Sequence, residues 1–212
     1  MKSYRSLVPF IALAALIPAT SHAQLRVTEV ESSEFGSSKP DWFELSNFGS
    51  SSVDITGYTM DDNSASAALS VPLSGITSLA PGESVAFFEV AGSNPLTIQG
   101  FRDWWGLSAS IQIGTYTGSG VGLSSTADGV NIYTGTAGSL VSGVSFGAAT
   151  KGYTFNWDST GAYLGLSVSG VNGAWTAPQD GDVGSPGVVP EPTTAALAGL
   201  GLAALVAARR RS

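Results

Sequence analysis

The chain has 212 residues, 43% hydrophobic and only 12% charged, with 27 glycines and no cysteine. That hydrophobic content excludes a disordered polymer, and the lack of cysteine excludes thiol nucleophiles, thiolate metal sites and disulfide staples. Between positions 24 and 189 four basic residues stand against fifteen acidic ones, a net charge of −11 with no basic patch, which excludes nucleic acid as a partner.

The first element is a leader. Lys2 and Arg5 precede an uncharged, mostly apolar run over 7–17, and Ser21-His22-Ala23 follows with small residues at its first and third positions. This order of charge, apolar run and small-residue site predicts a signal peptide over 1–23. It would pass the secretory translocon and be cut by signal peptidase between Ala23 and Gln24. The other reading is an uncleaved anchor helix, for which the run is short. His22, the only histidine of the chain, would leave with the leader.

Short runs of β-branched and aromatic residues between turn signals then predict strands. Leu25-Arg26-Val27-Thr28-Glu29-Val30 alternates apolar with polar residues. Trp42-Phe43-Glu44-Leu45-Ser46 follows a Ser-Ser-Lys-Pro-Asp turn, and positions 53–60 alternate again. Ala80-Pro81-Gly82-Glu83 is a turn leading into a strand over 84–90, and further strands are expected at 130–133, 140–146 and 153–157. No long segment of helical period is visible between the two ends. The fold class is therefore all-β, a sandwich flanked by a leader helix and a short apolar C-terminal helix.

Five of these segments, in order, resemble a lamin-tail domain, an immunoglobulin-like β-sandwich. They are Val27-Thr28-Glu29-Val30, Asp41-Trp42-Phe43-Glu44-Leu45-Ser46-Asn47, Val53-Asp54-Ile55-Thr56-Gly57-Tyr58-Thr59-Met60, Leu79-Ala80-Pro81-Gly82-Glu83, and Gly122-Leu123-Ser124 through Asp128-Gly129-Val130-Asn131-Ile132-Tyr133. The resemblance covers 24–158. It departs from the family's pattern at Ser46, which stands where an aromatic residue is usual, and in a long stretch over 96–120. It implies no shared catalytic residue. Gly57 fits a bend within a strand where a side chain would be crowded. Glu44 either faces solvent or anchors a loop backbone through its carboxylate, and Trp42 belongs to the core or its edge. Residues 159–188 are expected to be a last strand, a flexible linker or both, with the Gly- and Pro-rich 182–189 read as linker.

The chain ends in Pro190-Glu191-Pro192, an uncharged run over 193–208, and Arg209-Arg210-Arg211. A helix over that run would be about 24 Å long, short of a ~30 Å hydrocarbon core. The arginines would stay on the cytoplasmic side, with the domain outside. This tripartite tail, 189–212, resembles the PEP-CTERM sorting signal. The resemblance implies recognition by an exosortase in the cytoplasmic membrane of a Gram-negative bacterium, removal of the tail, and a place at the cell surface or in an exopolysaccharide matrix. An ordinary tail anchor is the alternative.

Chemistry is scarce. Without a histidine in the mature chain, a serine nucleophile has no usual base beyond Lys39 or Lys151. Gly143-Val144-Ser145-Phe146-Gly147 has the spacing of a nucleophile elbow but reads as a strand end. Asp61-Asp62 and Asp180/Asp182 could serve as carboxylate pairs or calcium ligands, and read more simply as solvated turns. Trp104 and Trp105 are the candidate ligand contacts, since exposed aromatic faces stack on sugar rings. The alternative is that one caps the core and the other is partly exposed. No cofactor and no catalytic residue is expected. The leading reading is a non-enzymatic surface or matrix protein. A carbohydrate-binding module for extracellular polysaccharide and a carboxylate hydrolase are the rivals.

Overall fold

The computed structural model describes residues 25–36, 38–91 and 95–189. In chain order these form β1 (Leu25–Glu31), β2 (Trp42–Asn47), β3 (Val53–Asp54), β4 (Thr59–Asp61), β5 (Val71–Pro72), β6 (Ser78–Leu79), β7 (Ser84–Val90), α1 (Ile98–Trp105), β8 (Ile113–Thr117), β9 (Asp128–Tyr133), β10 (Leu140–Phe146), β11 (Phe155–Trp157), β12 (Tyr163–Leu166), β13 (Trp175–Thr176) and β14 (Val183–Gly184). The leader with its Ala23–Gln24 junction and the tail from Pro190 to the terminal arginines lie outside the described residues. Among the described residues no helix is long and apolar enough to cross a membrane.

A six-stranded sheet, β12-β11-β1-β2-β7-β8, packs one face against a four-stranded sheet, β10-β9-β4-β5. The core between them holds Val27, Val30, Phe43, Leu45, Val85 and Phe87 from the first sheet, and Met60, Val130, Ile132, Val144 and Phe146 from the second. Each such side chain removed from water contributes about 1.5–3 kcal/mol. This is the all-β sandwich expected from the alternating runs.

A β-bulge in β1 decides what the other face carries. The register pairs Val27 with Leu45 and then Glu29 with Glu44, so that Thr28 is the extra residue. Strict alternation would put Val27 and Glu29 on one face. The bulge instead turns Thr28 and Glu29 to the face opposite Val27 and returns Val30 to the core.

That opposite face is buried too. Phe101, Trp104 and Trp105 of α1 pack on Trp42, Ala86, Phe88 and Ile113, forming a second core. The helix exists because β7 and β8 are parallel neighbours, and parallel strands need a crossover. Thr97 caps its start by accepting a bond from the Gly100 N–H at 3.0 Å, and Gly106 ends it with a left-handed φ of 68°. The long stretch over 96–120 is thus a helical layer, where the sequence pattern suggested a loop or a binding feature. Its apolar side chains at 101, 104 and 105 follow helical spacing, but over a single turn and a half, too short for periodicity to declare it.

Two further expectations change. The predicted strand over 53–60 is broken into β3 and β4 by a turn at Gly57, whose φ is +79°. Nothing lies within 4 Å of where its Cβ would be, so backbone conformation, not crowding, calls for glycine there. The segment read as a linker is folded: β13 and β14 form a hairpin, and residues 182–186 are buried against the sandwich.

Candidate functional site

Beneath that C-terminal segment lies a ladder of buried carboxyl and hydroxyl groups on the outer face of β1, β2, β7 and β11. Glu29 is fully buried. Its Oε1 accepts bonds from the Ser185 N–H at 2.8 Å and the Thr154 hydroxyl at 2.5 Å, and its Oε2 accepts from the Ser185 hydroxyl at 3.0 Å. Glu44, also fully buried, accepts from the Thr28 hydroxyl at 2.6 Å through Oε1 and from the Gly187 N–H at 2.7 Å through Oε2. Ser46 links Thr28 to Ser84. Of the two readings of Glu44, the anchor holds and the solvent-facing one falls.

The same segment is pinned at its hairpin. Asp182 accepts from the Phe35 N–H at 2.7 Å and from the Trp104 indole N–H at 3.0 Å. Glu31 accepts from the Trp42 indole N–H at 2.6 Å. Trp175 donates to the Trp105 carbonyl at 3.0 Å. Main-chain bonds from Thr154 to Val183 and from Val183 to Gly152 complete the attachment.

Burial dominates the titration of these groups. It pushes Glu29 up to about 7 and Glu44 up to about 8, the charge of Glu29 adding to burial at Glu44. Glu31 lies well above its ordinary value, through burial first and the charges of Asp182 and Glu34 second. The hydrogen bonds they accept pull the other way without overcoming burial. Unfolded, these carboxyls titrate near 4.5. Above that value the folded chain keeps protons on Glu29 and Glu44 that the unfolded chain has released, until pH passes about 8. Their contribution to stability is therefore complete below pH 4.5 and lost on the way to pH 8. The thermal midpoint should fall between pH 5 and pH 8.5, by about 2–4 °C for each kcal/mol lost. A midpoint that rises over that range would mean that the buried groups fold in their charged form.

Glu34 and Asp41 form a second acidic pair, pushed up to about 8 and about 7, with burial the largest cause for both and the charge of Asp41 adding to it at Glu34. Glu89 and the buried Tyr116 hydroxyl lie nearby. Among the described residues, no group of three acidic, histidine or cysteine side chains converges as metal ligands.

The residues singled out from sequence find other employment. Trp104 and Trp105 are 0% exposed. Trp105 sits edge-on to Trp42 with ring centroids 5.4 Å apart, and Lys39 lies 5.2 Å over the Trp104 ring. Neither ring has a free face for a sugar, which corrects both the ligand-contact reading and the partly exposed one. Asp61 is buried, accepting from the Ser64 hydroxyl at 2.7 Å and the Ser66 N–H at 2.6 Å. Asp182 is buried as well, so neither is a solvated turn residue. Asp62 and Asp180 fit the simpler reading, as an Asx-type turn to Ser64 and a surface pair with Lys39 at 3.5 Å. Ser145 lies exposed on β10 with a strand, not a helix, around it. A pocket of about 110 Å³ beside β12, lined by Asn156, Leu164, Ser167, Val168, Val171 and Asn172 among others, carries no ionisable side chain.

Glu29 and Glu44 were missed as a site. Their signal was present in the paired polar positions of β1 and β2, but their main-chain donors, Ser185 and Gly187, lie far away in sequence.

Two family models match the chain: Lamin Tail Domain over residues 18–148, and the PEP-CTERM protein-sorting motif over residues 188–211. The first ends before β11, so the Thr154, Ser185 and Gly187 donors lie beyond the matched segment. No curated protein and no solved structure matches.

Proposed function

From a chain that belongs to the lamin tail domain family and ends in a PEP-CTERM protein-sorting motif, we propose a non-catalytic surface or matrix protein, exported and handed to an exosortase. The sorting motif carries this reading. Both matched families are of non-catalytic kinds. The deeply buried carboxyls Glu29 and Glu44 accept main-chain bonds from the C-terminal segment.

An adhesive or assembly role is supported by the β12 edge of the large sheet, which has no further strand partner among the described residues. No charged residue occurs between positions 159 and 179, although the domain as a whole is strongly acidic. Tyr163, Leu164, Val168 and Val171 are 54%, 48%, 58% and 50% exposed there. Clustered exposed apolar groups mark contact surfaces. Exopolysaccharide of the matrix is the partner this reading names, with the contact assigned to this edge and no longer to Trp104 and Trp105. The Gram-negative envelope, the passage through translocon and signal peptidase, and the tail's stay in the inner membrane belong to the same proposal.

Replacing Pro190-Glu191-Pro192 by three alanines should leave the protein in the membrane fraction with its tail attached. Mass spectrometry of the chain from its native envelope reads this directly. A variant processed and located like the wild type would remove the sorting reading.

A further inference from the structure

The sorting motif, matched from residue 188, begins within the last described residues of the domain. Residues 182–186 are buried, and 187–189 are half-buried. The Val188 N–H bonds to the Ser185 carbonyl at 3.0 Å, and the Val188 side chain lies against Gly173, where an added Cβ would come within 2.7 Å of it. Docking therefore persists to within two residues of Pro190. From Val189 to Thr193, where the uncharged run starts, the chain reaches at most about 14 Å. A domain of this size has a radius of gyration of roughly 15 Å. A membrane enzyme reading Pro190-Glu191-Pro192 must work in the gap between the domain and the bilayer.

We propose that the segment over 183–187 is a latch on tail processing. Docked on Glu29 and Glu44, it keeps the chain bound to the domain just ahead of the motif, and the exosortase gains the motif when the segment lifts away. This rests on the sorting reading above. The attachment has the chemistry of a latch. Two main-chain N–H groups, Ser185 and Gly187, each reach one buried carboxylate at 2.8 and 2.7 Å. Release also parts Val188 from Gly173 and Gly187 from Ile111. Gly187 has a φ of +82°, and a Cβ there would come within 2.8 Å of Ile111. Any other residue at 187 is strained in the docked form and at ease in the released one.

The test follows tail removal by pulse-chase and C-terminal mass spectrometry in the native envelope, for four full-length chains. These are the wild type, Gly187→Ala, a chain with four Gly/Ser residues inserted after Val189, and the triple-alanine motif variant. Tail removal should be at least threefold faster in Gly187→Ala and in the insertion chain, with the domain folded in both by near-ultraviolet circular dichroism. Equal rates in the first three chains would overturn the latch and leave sorting intact. Acceleration by the insertion alone would make reach the limiting quantity and also overturn it. A wild-type tail that is never removed, or is removed as fast without the motif, would take down the sorting reading and the latch with it.

Discussion

Glu29→Ala is expected to destabilise the domain by about 3–5 kcal/mol, the range for breaking a buried polar network and leaving a void. The substitution orphans the Ser185 N–H and removes the shared acceptor of Thr154, Ser167 and Ser185 hydroxyls. The hydroxyls can rotate toward one another; Thr154 and Ser167 are already in contact at 2.5 Å. The main-chain N–H cannot. Glu29→Gln is the informative partner. Its amide oxygen can take the Oε1 place and satisfy Ser185 N–H, while its NH₂ at the Oε2 place faces the Ser185 hydroxyl, which can turn to accept. That exchange should cost only about 1 kcal/mol. It should also flatten part of the fall in stability between pH 5 and pH 8.5, because the amide does not titrate. Denaturant unfolding of the two variants at both pH values measures this. Equal losses for alanine and glutamine would mean that the carboxyl acts by bulk alone.

Trp104→Ala should cost a similar amount, about 3–5 kcal/mol. The ring is fully enclosed and sits edge-on to Phe101 with centroids 5.5 Å apart. Its loss also strands the Asp182 Oδ2 atom that its indole N–H serves. Because Asp182 anchors both Phe35 and the C-terminal hairpin, the damage should spread to the latch, and proteolysis near 185–189 should accelerate. Trp104→Phe keeps most of the ring and loses only the indole bond, for roughly 1–3 kcal/mol. A Trp104→Ala chain that stays as stable as the wild type while losing glycan binding would restore the sugar-contact reading.

The sequence by itself determined the fold class and the sorting motif. Alternating β-branched and aromatic runs place most of the long strands, because a half-buried strand prints its own period on the residues that form it. The tripartite tail is legible for another reason: a sorting signal is a linear string, so composition and order carry its meaning. The turn before β7 was visible through glycine and proline, whereas at Gly57 the sequence suggested only a bend within one strand, and the break and its conformational cause came from the structure.

Tertiary structure alone decided the second core and the site. One bulge at Thr28 turns Glu29 outward, and no pattern in β1 announces it, since a bulge is a property of the strand pair. The helix that buries Trp104 and Trp105 is too short to show its period. Glu29 and Glu44 look like surface residues of an alternating strand. They become internal only because Ser185 and Gly187, more than 140 residues later, bring main-chain N–H groups to their carboxylates. A Gly- and Pro-rich string has the composition of a linker. Whether it stays one depends on whether a distant surface offers its backbone partners, and here β1 and β2 do.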